Sequence, residues 1–316
     1  MKKKKTISIV LPVFNEQDNI ADCIETIWKH VEKLDYSFEL ILINDGSTDR
    51  TWDAIASCSG KYPIKAFAFS RNFGKEAAIL AGLSVSRGDA VITMDADLQH
   101  PPEKLPEFIE KWERGAKIVE GRKIERGENE SFFHKGCACM FYKLLGHAIQ
   151  VDMRHMSDFK LLDREVVDII IKLPEKQMFY RAISAWVGYP TDYVDYNVAE
   201  RKKGSTKWNY KSLVKYAIRN ITSFTSSPLQ LVTFLGIAFF LIAIIVGSIT
   251  LIKWASQNAV EGFTTVILIQ LISGAFIMLA IGIVGYYIGK IADEIRDRPR
   301  YIIEKEIGEI NTDEQR

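Results

Sequence analysis

Residues 91–102 read Val-Ile-Thr-Met-Asp-Ala-Asp-Leu-Gln-His-Pro-Pro, and this stretch predicts a buried strand that ends in a ligand site. Its short apolar run is typical of a strand in the interior of a sheet. Asp95 and Asp97 follow at positions i and i+2, so their carboxylates can face the same way and share one divalent cation. Mg²⁺ and Mn²⁺ prefer oxygen ligands, especially when a substrate diphosphate completes the coordination shell. The alternative is a plain turn, in which an aspartate caps the next helix and the prolines end the strand.

The residues before this stretch alternate between strand patterns and helix patterns. The predicted strands are residues 7–13, 38–44, 64–69 and 90–94, with a helix after each of the first three. Such alternation indicates an α/β fold with a mostly parallel sheet and helices on both faces. The loops after the strands carry acids, namely Glu16, Asp45 and the Asp95/Asp97 pair. Because the carboxyl ends of parallel strands meet at one edge of a sheet, we expect these acids to gather around a ligand there.

The middle of the chain has a less regular pattern. The predicted helices are residues 102–114, 131–149, 164–172 and 179–188, and the predicted strands are residues 117–121, 158–162 and 193–201. Asp158 stands at the start of one of these strands, and two interpretations of it stay open. It is either a residue of the site or only a partner for Lys160 or Arg164.

Composition excludes one class of partner and indicates a compartment. Lysine and arginine number 41 against 40 aspartates and glutamates, so the charge predicts no nucleic-acid partner. The four cysteines include no C-x-x-C pair and no zinc spacing, which favours free thiols in the cytoplasm. We also expect no signal peptide, because the basic residues 2–5 lead directly into the first strand.

Two long apolar segments in the last third of the chain predict a membrane hairpin. No charged residue occurs from residue 220 to residue 252, and spans are predicted at about residues 229–252 and 264–289. Residues 207–225 precede them with basic side chains at intervals of four, which predicts an amphipathic helix on the membrane surface. A solvated helix face and two buried helices of a soluble domain are the alternatives.

Basic residues flank the hairpin on one side, and this asymmetry predicts its orientation. The positive-inside rule places the domain before the spans and both termini in the cytoplasm, at the inner membrane. The predicted parts are a cytoplasmic domain at 1–206, a juxtamembrane helix at 207–225, the two spans within 226–290 and a cytoplasmic tail at 291–316. Gly282, Gly285 and Gly289 permit close helix contact, which raises the hypothesis of a homo-oligomer.

These features together predict a transfer reaction at a membrane. Acids with a bound cation can hold a nucleoside diphosphate, while the basic segments 122–126 and 201–207 can hold a second phosphate. Two phosphate sites beside a bilayer indicate transfer from a soluble nucleotide donor to a lipid phosphate. A phosphate acceptor is already an anion near neutral pH, so this chemistry requires no strong general base.

Five motifs resemble those of a known family. Residues 10–16 (Val-Leu-Pro-Val-Phe-Asn-Glu), 43–49 (Ile-Asn-Asp-Gly-Ser-Thr-Asp) and 95–102 resemble the donor-site motifs of family 2 inverting glycosyltransferases. The Gln-His-Pro-Pro ending, with residues 157–160 and 203–208, resembles the dolichol-phosphate mannose synthase branch. The two spans and the Tyr-Tyr-Ile-Gly-Lys at 286–290 resemble bacterial polyprenyl-phosphate glucosyltransferases of the GtrB type.

The resemblance implies a GT-A nucleotide-diphospho-sugar binding fold and a role for individual residues. The residues that would contact the nucleoside are Pro12, Glu16 and Asp45. Asp95 would orient the donor, and Asp97 with Gln99 would bind Mg²⁺ or Mn²⁺. The residues that would face the acceptor phosphate are Arg122, Arg126 and Lys207. Asp158 matches an acid that is sometimes proposed as a catalytic base, and that role stays open.

Structural alternatives exist for several of these residues. Glu16 is also suited to cap a helix, Asp45 to form an Asx-turn, and the loop arginines to remain solvated. We interpret His100 as a turn residue rather than a metal ligand. Asn44 stands where many relatives of this kind have aspartate, so we do not expect it to bind metal.

The sequence as a whole predicts a membrane-anchored, metal-dependent inverting glycosyltransferase. It would transfer glucose from a UDP-sugar donor to undecaprenyl phosphate or a similar polyprenyl phosphate. The same chemistry with N-acetylglucosamine, mannose, galactose or aminoarabinose is the first alternative. A processive polysaccharide synthase is disfavoured because the chain lacks a Gln-x-x-Arg-Trp motif. A non-catalytic membrane scaffold is disfavoured because the acid, amide and basic positions are intact.

Overall fold

The computed structural model describes six segments of the chain. They are residues 4–124, 157–175, 179–197, 227–255, 263–296 and 298–308. The chain forms two compact units, the first from Met1–Ser212 with Pro299–Arg316 and the second from Leu213–Arg298. The domain boundaries predicted after residues 206, 225 and 290 stay predictions. The predicted helices at 131–149 and 207–225 lie outside the described residues.

Among the described residues, the first unit is built on one eight-stranded sheet. Its strands are β1 (Thr6–Val13), β2 (Ser37–Asn44), β3 (Ile64–Phe69), β4 (Ala90–Thr93), β5 (Ile118–Lys123), β6 (Lys160–Asp163), β7 (Thr191–Tyr196) and β8 (Ile303–Ile307). They are arranged in the order β7-β5-β6-β4-β1-β2-β3-β8. The pairs β1–β2, β1–β4, β2–β3 and β5–β7 are parallel, and the other three pairs are antiparallel. The predicted α/β fold with a mostly parallel sheet is therefore confirmed.

Helices connect the strands of this sheet. They are α1 (Ile20–Val31), α2 (Thr51–Cys58), α3 (Lys75–Val85), α4 (Leu105–Glu113), α5 (Arg164–Lys172) and α6 (Tyr180–Trp186). Helix α1 buries Ile20, Ile24, Ile27 and Val31, which recur at intervals of three or four and so lie on one face. The predicted helix at 102–114 starts as a 3-10 turn at Pro102–Lys104 and becomes α-helical at Leu105.

The central strands β1 to β4 are almost wholly buried because layers cover both faces of the sheet. This explains their continuous apolar runs, which the sequence shows instead of a strict alternation. The carboxyl ends of β1, β2 and β4 point the same way because the three strands are parallel neighbours. The loops that follow them therefore lie along one edge of the sheet.

Strand β8 is an element that the sequence analysis did not predict, since it assigned this segment only to a tail. It pairs antiparallel with β3 and forms one end of the sheet. Just before it, Tyr301 stacks on Phe69 with 5.1 Å between ring centroids, and Ser70 donates its backbone N–H to the Ile302 carbonyl at 3.0 Å. The chain after the second apolar helix is thus part of the α/β unit.

The second unit contains helices α7 (Ser227–Ala255) and α8 (Phe263–Ile295). Both are long and apolar enough to cross a membrane, over Val232–Ile249 and Ile269–Ile295. Their large apolar side chains are extensively exposed, which a water-soluble surface of this extent rarely tolerates. Phe239 and Phe276 make a ring contact between the two helices, with centroids 5.4 Å apart.

Candidate active site

The loops after β1 and β2 are joined by hydrogen bonds at the carboxyl edge of the sheet. Asn15 adopts a left-handed conformation with φ 54°, which Asn tolerates better than most residues. Its side-chain oxygen accepts the Thr48 N–H at 2.9 Å, and its own N–H donates to Ser47 Oγ at 2.9 Å. The first two resemblance motifs are therefore held together as one surface.

Glu16 takes part in the start of α1. Its carbonyl accepts the N–H groups of Asn19 and Ile20, both at 3.0 Å. Its carboxylate accepts from Asn19 Nδ2 at 2.7 Å. Pro12 lies in β1 opposite Ile43 of β2, one residue before the strand ends. The nucleoside contacts predicted for Glu16 and Pro12 stay predictions.

Asp45 is buried and holds the loop that follows β3. Its carboxylate accepts the N–H of Phe73 at 2.7 Å and the N–H of Gly74 at 3.0 and 3.1 Å. Burial raises the pKa of Asp45 to about 6, even though these two N–H donors act in the opposite direction. The local turn is instead closed by Asn44, whose Oδ1 accepts the Ser47 N–H at 3.1 Å, so the Asx-turn alternative for Asp45 was wrong.

Asp95 is held from two sides. Its backbone N–H donates to His100 Nδ1 at 2.9 Å, and Lys75 Nζ lies 2.6 Å from its Oδ1. Burial alone would raise the pKa of Asp95, but the positive charge of Lys75 outweighs it and the pKa lies below its ordinary value. Asp95 is therefore a carboxylate at neutral pH with its orientation set by two neighbours.

Asp97 and Gln99 form a partly exposed turn next to Asp95. Asp97 Oδ1 accepts the Gln99 N–H at 3.1 Å, and Leu98 between them has φ 58°. This left-handed conformation is uncommon for a leucine and shows that the surrounding structure imposes the turn. Carboxylate and amide oxygens at such a turn match the hard donor set that Mg²⁺ and Mn²⁺ prefer.

The electrostatic environment of this turn also suits a cation. The pKa of the buried Cys23 is raised by its burial and further by the nearby carboxylates of Asp97, Glu16 and Asp95. Within the described segments, no three His, Cys, Asp or Glu side chains converge on one point. A Mg²⁺ ion is commonly held by one or two protein carboxylates with substrate phosphates and water. The residues present therefore fit a divalent cation whose shell a diphosphate completes.

His100 supports the site from within the core. Its ring stacks on Phe159 with a centroid distance of 5.0 Å and meets the edge of Tyr196 at 5.8 Å. Burial lowers its pKa, so the ring is neutral and Nδ1 can accept the Asp95 N–H. The interpretation of His100 as a turn residue left out its role in the site, because its ring accepts a hydrogen bond from the backbone of Asp95.

Asp158 lies just before β6 and is paired with two cations. Arg181 Nε and Nη2 donate to its two oxygens at 2.7 and 2.8 Å, and Lys75 Nζ donates to Oδ2 at 2.6 Å. Burial would raise the pKa of Asp158, but Lys75 and Arg181 together hold it well below its ordinary value. The carboxylate stays charged and is engaged at both oxygens.

The structural partners proposed for Asp158 from the sequence were wrong. Lys160 is fully buried and instead pairs with Glu120 at 2.9 Å. Arg164 donates to the Gly88 carbonyl at 2.8 Å. Tertiary contacts therefore supply the cations of Asp158 from α3 and α6, not from its own strand and helix.

Arg122 is the described member of the predicted acceptor group. Its Nε and Nη2 donate to the two oxygens of Asp195 at 2.6 and 3.0 Å. The guanidinium lies 5.5 Å from the Tyr193 ring centroid. Nearly half of the Arg122 side chain stays exposed, so a phosphate can still approach it. Arg126 and Lys207 lie outside the described residues.

Lys75, His100 and Arg181 are the site residues that sequence reasoning missed or left out. The sequence did contain a signal for Lys75, because this residue follows β3 and so belongs to the same series of strand-end loops as the acids. Arg181 had none, since it lies within a short helix far along the chain.

Comparisons with known proteins show the family of this chain. Residues 8–168 match the model of the family described as Glycosyl transferase family 2. The prophage bactoprenol glucosyl transferase homolog of Escherichia coli (strain K12) is 38% identical over 302 residues, which cover 95% of this chain and 98% of that protein. The bactoprenol glucosyl transferase of Shigella phage SfV is 39% identical over 303 residues, covering 95% and 98%.

A solved structure shares the fold. It is glucosyl-3-phosphoglycerate synthase from Mycobacterium tuberculosis in complex with Mn²⁺, uridine diphosphate and phosphoglyceric acid. The TM-score is 0.50 and the identity 20%, over 69% of this chain and 76% of that chain. Together with the family match, this likeness confirms the expected GT-A fold.

Proposed function

Because the chain belongs to glycosyl transferase family 2, we propose that it transfers glucose from UDP-glucose to a polyprenyl phosphate at the membrane. The observation that carries the proposal is that the acidic loops after the parallel strands β1, β2 and β4 lie along one sheet edge, in a chain that also has two membrane-length helices. The choice of glucose is supported by the names of relatives that cover nearly the whole chain.

The donor would bind at the carboxyl edge of β1, β2 and β4. Pro12, Glu16 and Asp45 would contact the nucleoside, and Asp95 would orient the donor. Asp97 and Gln99 would hold Mg²⁺ or Mn²⁺ together with the diphosphate. A divalent cation bound there would stabilise the negative charge that develops on the departing diphosphate.

The acceptor would approach from the cytoplasmic leaflet. Arg122, Arg126 and Lys207 would bind its phosphate, since arginine pairs with phosphate through two parallel hydrogen bonds. Both termini and the α/β unit would then lie in the cytoplasm, in keeping with the basic residues that flank the apolar helices.

The chemistry is a single displacement with inversion. An oxygen of the lipid phosphate attacks the anomeric carbon, the bond from that carbon to the diphosphate oxygen breaks, and UDP leaves with the electron pair. The product is a polyprenyl monophosphosugar. The attacking oxygen is already anionic, so the reaction needs no residue to remove a proton.

The test is a transfer assay with the purified full-length protein in detergent. It contains Mg²⁺, undecaprenyl phosphate and a panel of labelled UDP- and GDP-sugars, and lipid-linked label is measured. We expect label from UDP-glucose, with inverted configuration at the anomeric carbon by NMR. If only another donor labelled the lipid, that sugar would replace glucose in the proposal. If the anomeric configuration were retained, the single-displacement mechanism would be wrong.

Matched variants separate the site from general damage to the fold. Asp97→Asn should lower transfer by about 100-fold or more, because it would remove a charged ligand of the cation that stabilises the departing diphosphate. Asp89→Asn is the control, since this carboxylate accepts the Thr6 N–H at 2.8 Å at the start of β1, away from the site. Equal loss in both variants would contradict the role of Asp97.

A further inference from the structure

Lys75, Asp158 and Arg181 form an ionic cluster beside Asp95, and the displacement described above requires none of them as a base. Lys75 Nζ lies 2.6 Å from an oxygen of Asp95 and 2.6 Å from an oxygen of Asp158. Arg181 binds both oxygens of Asp158. One ammonium group therefore bridges two carboxylates, and the second cation holds the far carboxylate in place.

The contacts of Asp158 indicate that it holds Lys75 in place rather than acting as a base. Three charge-assisted hydrogen bonds occupy its oxygens, and its side chain is only 8% exposed. Thr93 Oγ1 donates to its backbone carbonyl at 2.6 Å, which ties the residue to β4. A general base needs an oxygen that faces the substrate and a pKa near the working pH. Asp158 offers neither, but it holds Lys75 firmly.

Lys75 is also fixed through its backbone. It is the first residue of α3 and directly follows Phe73 and Gly74, whose N–H groups donate to Asp45. The position of Lys75 is therefore set through its backbone by Asp45 and through its side chain by Asp158. Its side chain remains 40% exposed, so the bridge lies at the open face of the site.

We propose that Lys75 is a positioning residue for sugar transfer, held by Asp158 and Arg181 so that its ammonium group fixes the carboxylate of Asp95. The proposal rests on the proposed function, since Asp95 is assigned there to orient the donor. Without the ammonium group, the carboxylates of Asp95 and Asp158 repel each other, and Asp95 turns away from its productive orientation.

The first test compares Lys75→Met and Lys75→Arg with the wild-type protein in the transfer assay. Lys75→Met should lower kcat about 100-fold, as expected for a misplaced catalytic group, while KM for polyprenyl phosphate stays unchanged. Lys75→Arg keeps a bridging cation and should recover part of the rate. An unchanged kcat in Lys75→Met would overturn the proposal. Lys75→Gln gives the same comparison if the methionine variant is poorly folded.

The second test adds Asp158→Asn to Lys75→Met. Removing the facing charge relieves the repulsion on Asp95, so the double variant should be about tenfold more active than Lys75→Met alone, a coupling typical of one ion-pair network. If Asp158 were a base, the second substitution would lower the rate further. Either a further loss or the absence of recovery overturns the proposal.

A structural readout and a control complete the design. Crystal structures should show the Asp95 side chain displaced in Lys75→Met and returned in the double variant. Lys65→Met is the control, because Lys65 makes an equally short ion pair with Glu39 near the start of β3 and should leave kcat unchanged. If the wild-type protein transfers no sugar from any donor, the proposed function fails and this proposal with it. If it transfers sugar at the same rate in Lys75→Met, only the positioning role fails.

Discussion

Two buried aspartates near the same sheet edge have pKa values that are shifted in opposite directions. Asp45 is satisfied by two backbone N–H groups, and its pKa is raised to about 6. Asp158 is satisfied by two side-chain cations, and its pKa lies well below its ordinary value. Neutral N–H donors offset only part of the desolvation free energy of a buried carboxylate, whereas cations offset it through their opposite charge. The same residue type therefore holds a loop in one place and a charged bridge in the other.

A third carboxylate extends the comparison to the surface. Asp195 binds Arg122 in the same two-pronged geometry that Asp158 uses with Arg181. The difference is exposure, which is 46% for the Asp195 side chain and 8% for that of Asp158. Exposed pairs contribute little to stability because water screens them, so these two pairs should differ widely in energy.

Arg181→Met should have the largest effect on stability. It leaves Asp158 buried with one cation instead of two, and breaking such a pair costs about 3 kcal/mol. Thermal unfolding of the detergent-solubilised protein measures the loss, with Arg181→Lys as the variant that keeps the charge. A Tm close to that of the wild type in Arg181→Met would show that Lys75 alone suffices for Asp158.

The pH dependence of Asp45 should have an intermediate effect. Its folded pKa of about 6 lies above the ordinary value of 3.8, so the folded state binds the proton more tightly. This group therefore favours folding at low pH, and its contribution falls by about 2 kcal/mol as the pH rises from about 4 to about 6. Asp45→Asn should remove that part of the dependence, which the difference in Tm between the two proteins across this range measures.

Asp158 should show no such dependence in this pH range, because its pKa is shifted in the opposite direction. Its depressed pKa gives a contribution that is complete above its ordinary value and is lost only as the pH falls toward the folded pKa. The Tm difference between the wild type and Asp158→Asn should therefore stay constant from about pH 4.5 to 6. If this Tm difference decreased as the pH was lowered from about 6 to about 4.5, the two cations would not hold the carboxylate as described.

Asp195→Asn should have the smallest effect on stability. The exposed pair with Arg122 contributes little because water screens it, so the Tm should shift by no more than about a degree or two. A loss comparable to that of Arg181→Met would mean that geometry, rather than burial, sets the strength of these pairs. Thermal unfolding under the same conditions as for Arg181→Met gives the direct comparison.

Much of this site could be predicted because strand-end loops are local in sequence. The order of strand and helix patterns places Asp45, Asp95 and Asp97 at one edge, and parallel pairing brings their loops together. The cluster around Asp158 could not be found in this way. Its cations are 83 residues before it and 23 residues after it, and only packing of α3 and α6 onto the sheet brings them together.

The role of His100 and the presence of β8 also depend on contacts with residues far away in the sequence. A histidine before two prolines is a turn residue by local rules, yet stacking on Phe159 turns its ring into the support of Asp95. A short charged segment after an apolar helix has a weak strand pattern, and β3 supplies the partner that makes it a strand. In both cases the deciding contact comes from a distant part of the chain.

The sequence by itself determined the α/β fold, the two membrane-length helices and the acids of the donor side, because these depend on periodicity and on the ends of strands. The tertiary structure decided which carboxylates are held by backbone N–H groups and which by cations. That choice depends on where burial and side-chain packing place Lys75 and Arg181. The charge state of an acid follows from those neighbours in space, and no spacing along the chain encodes them.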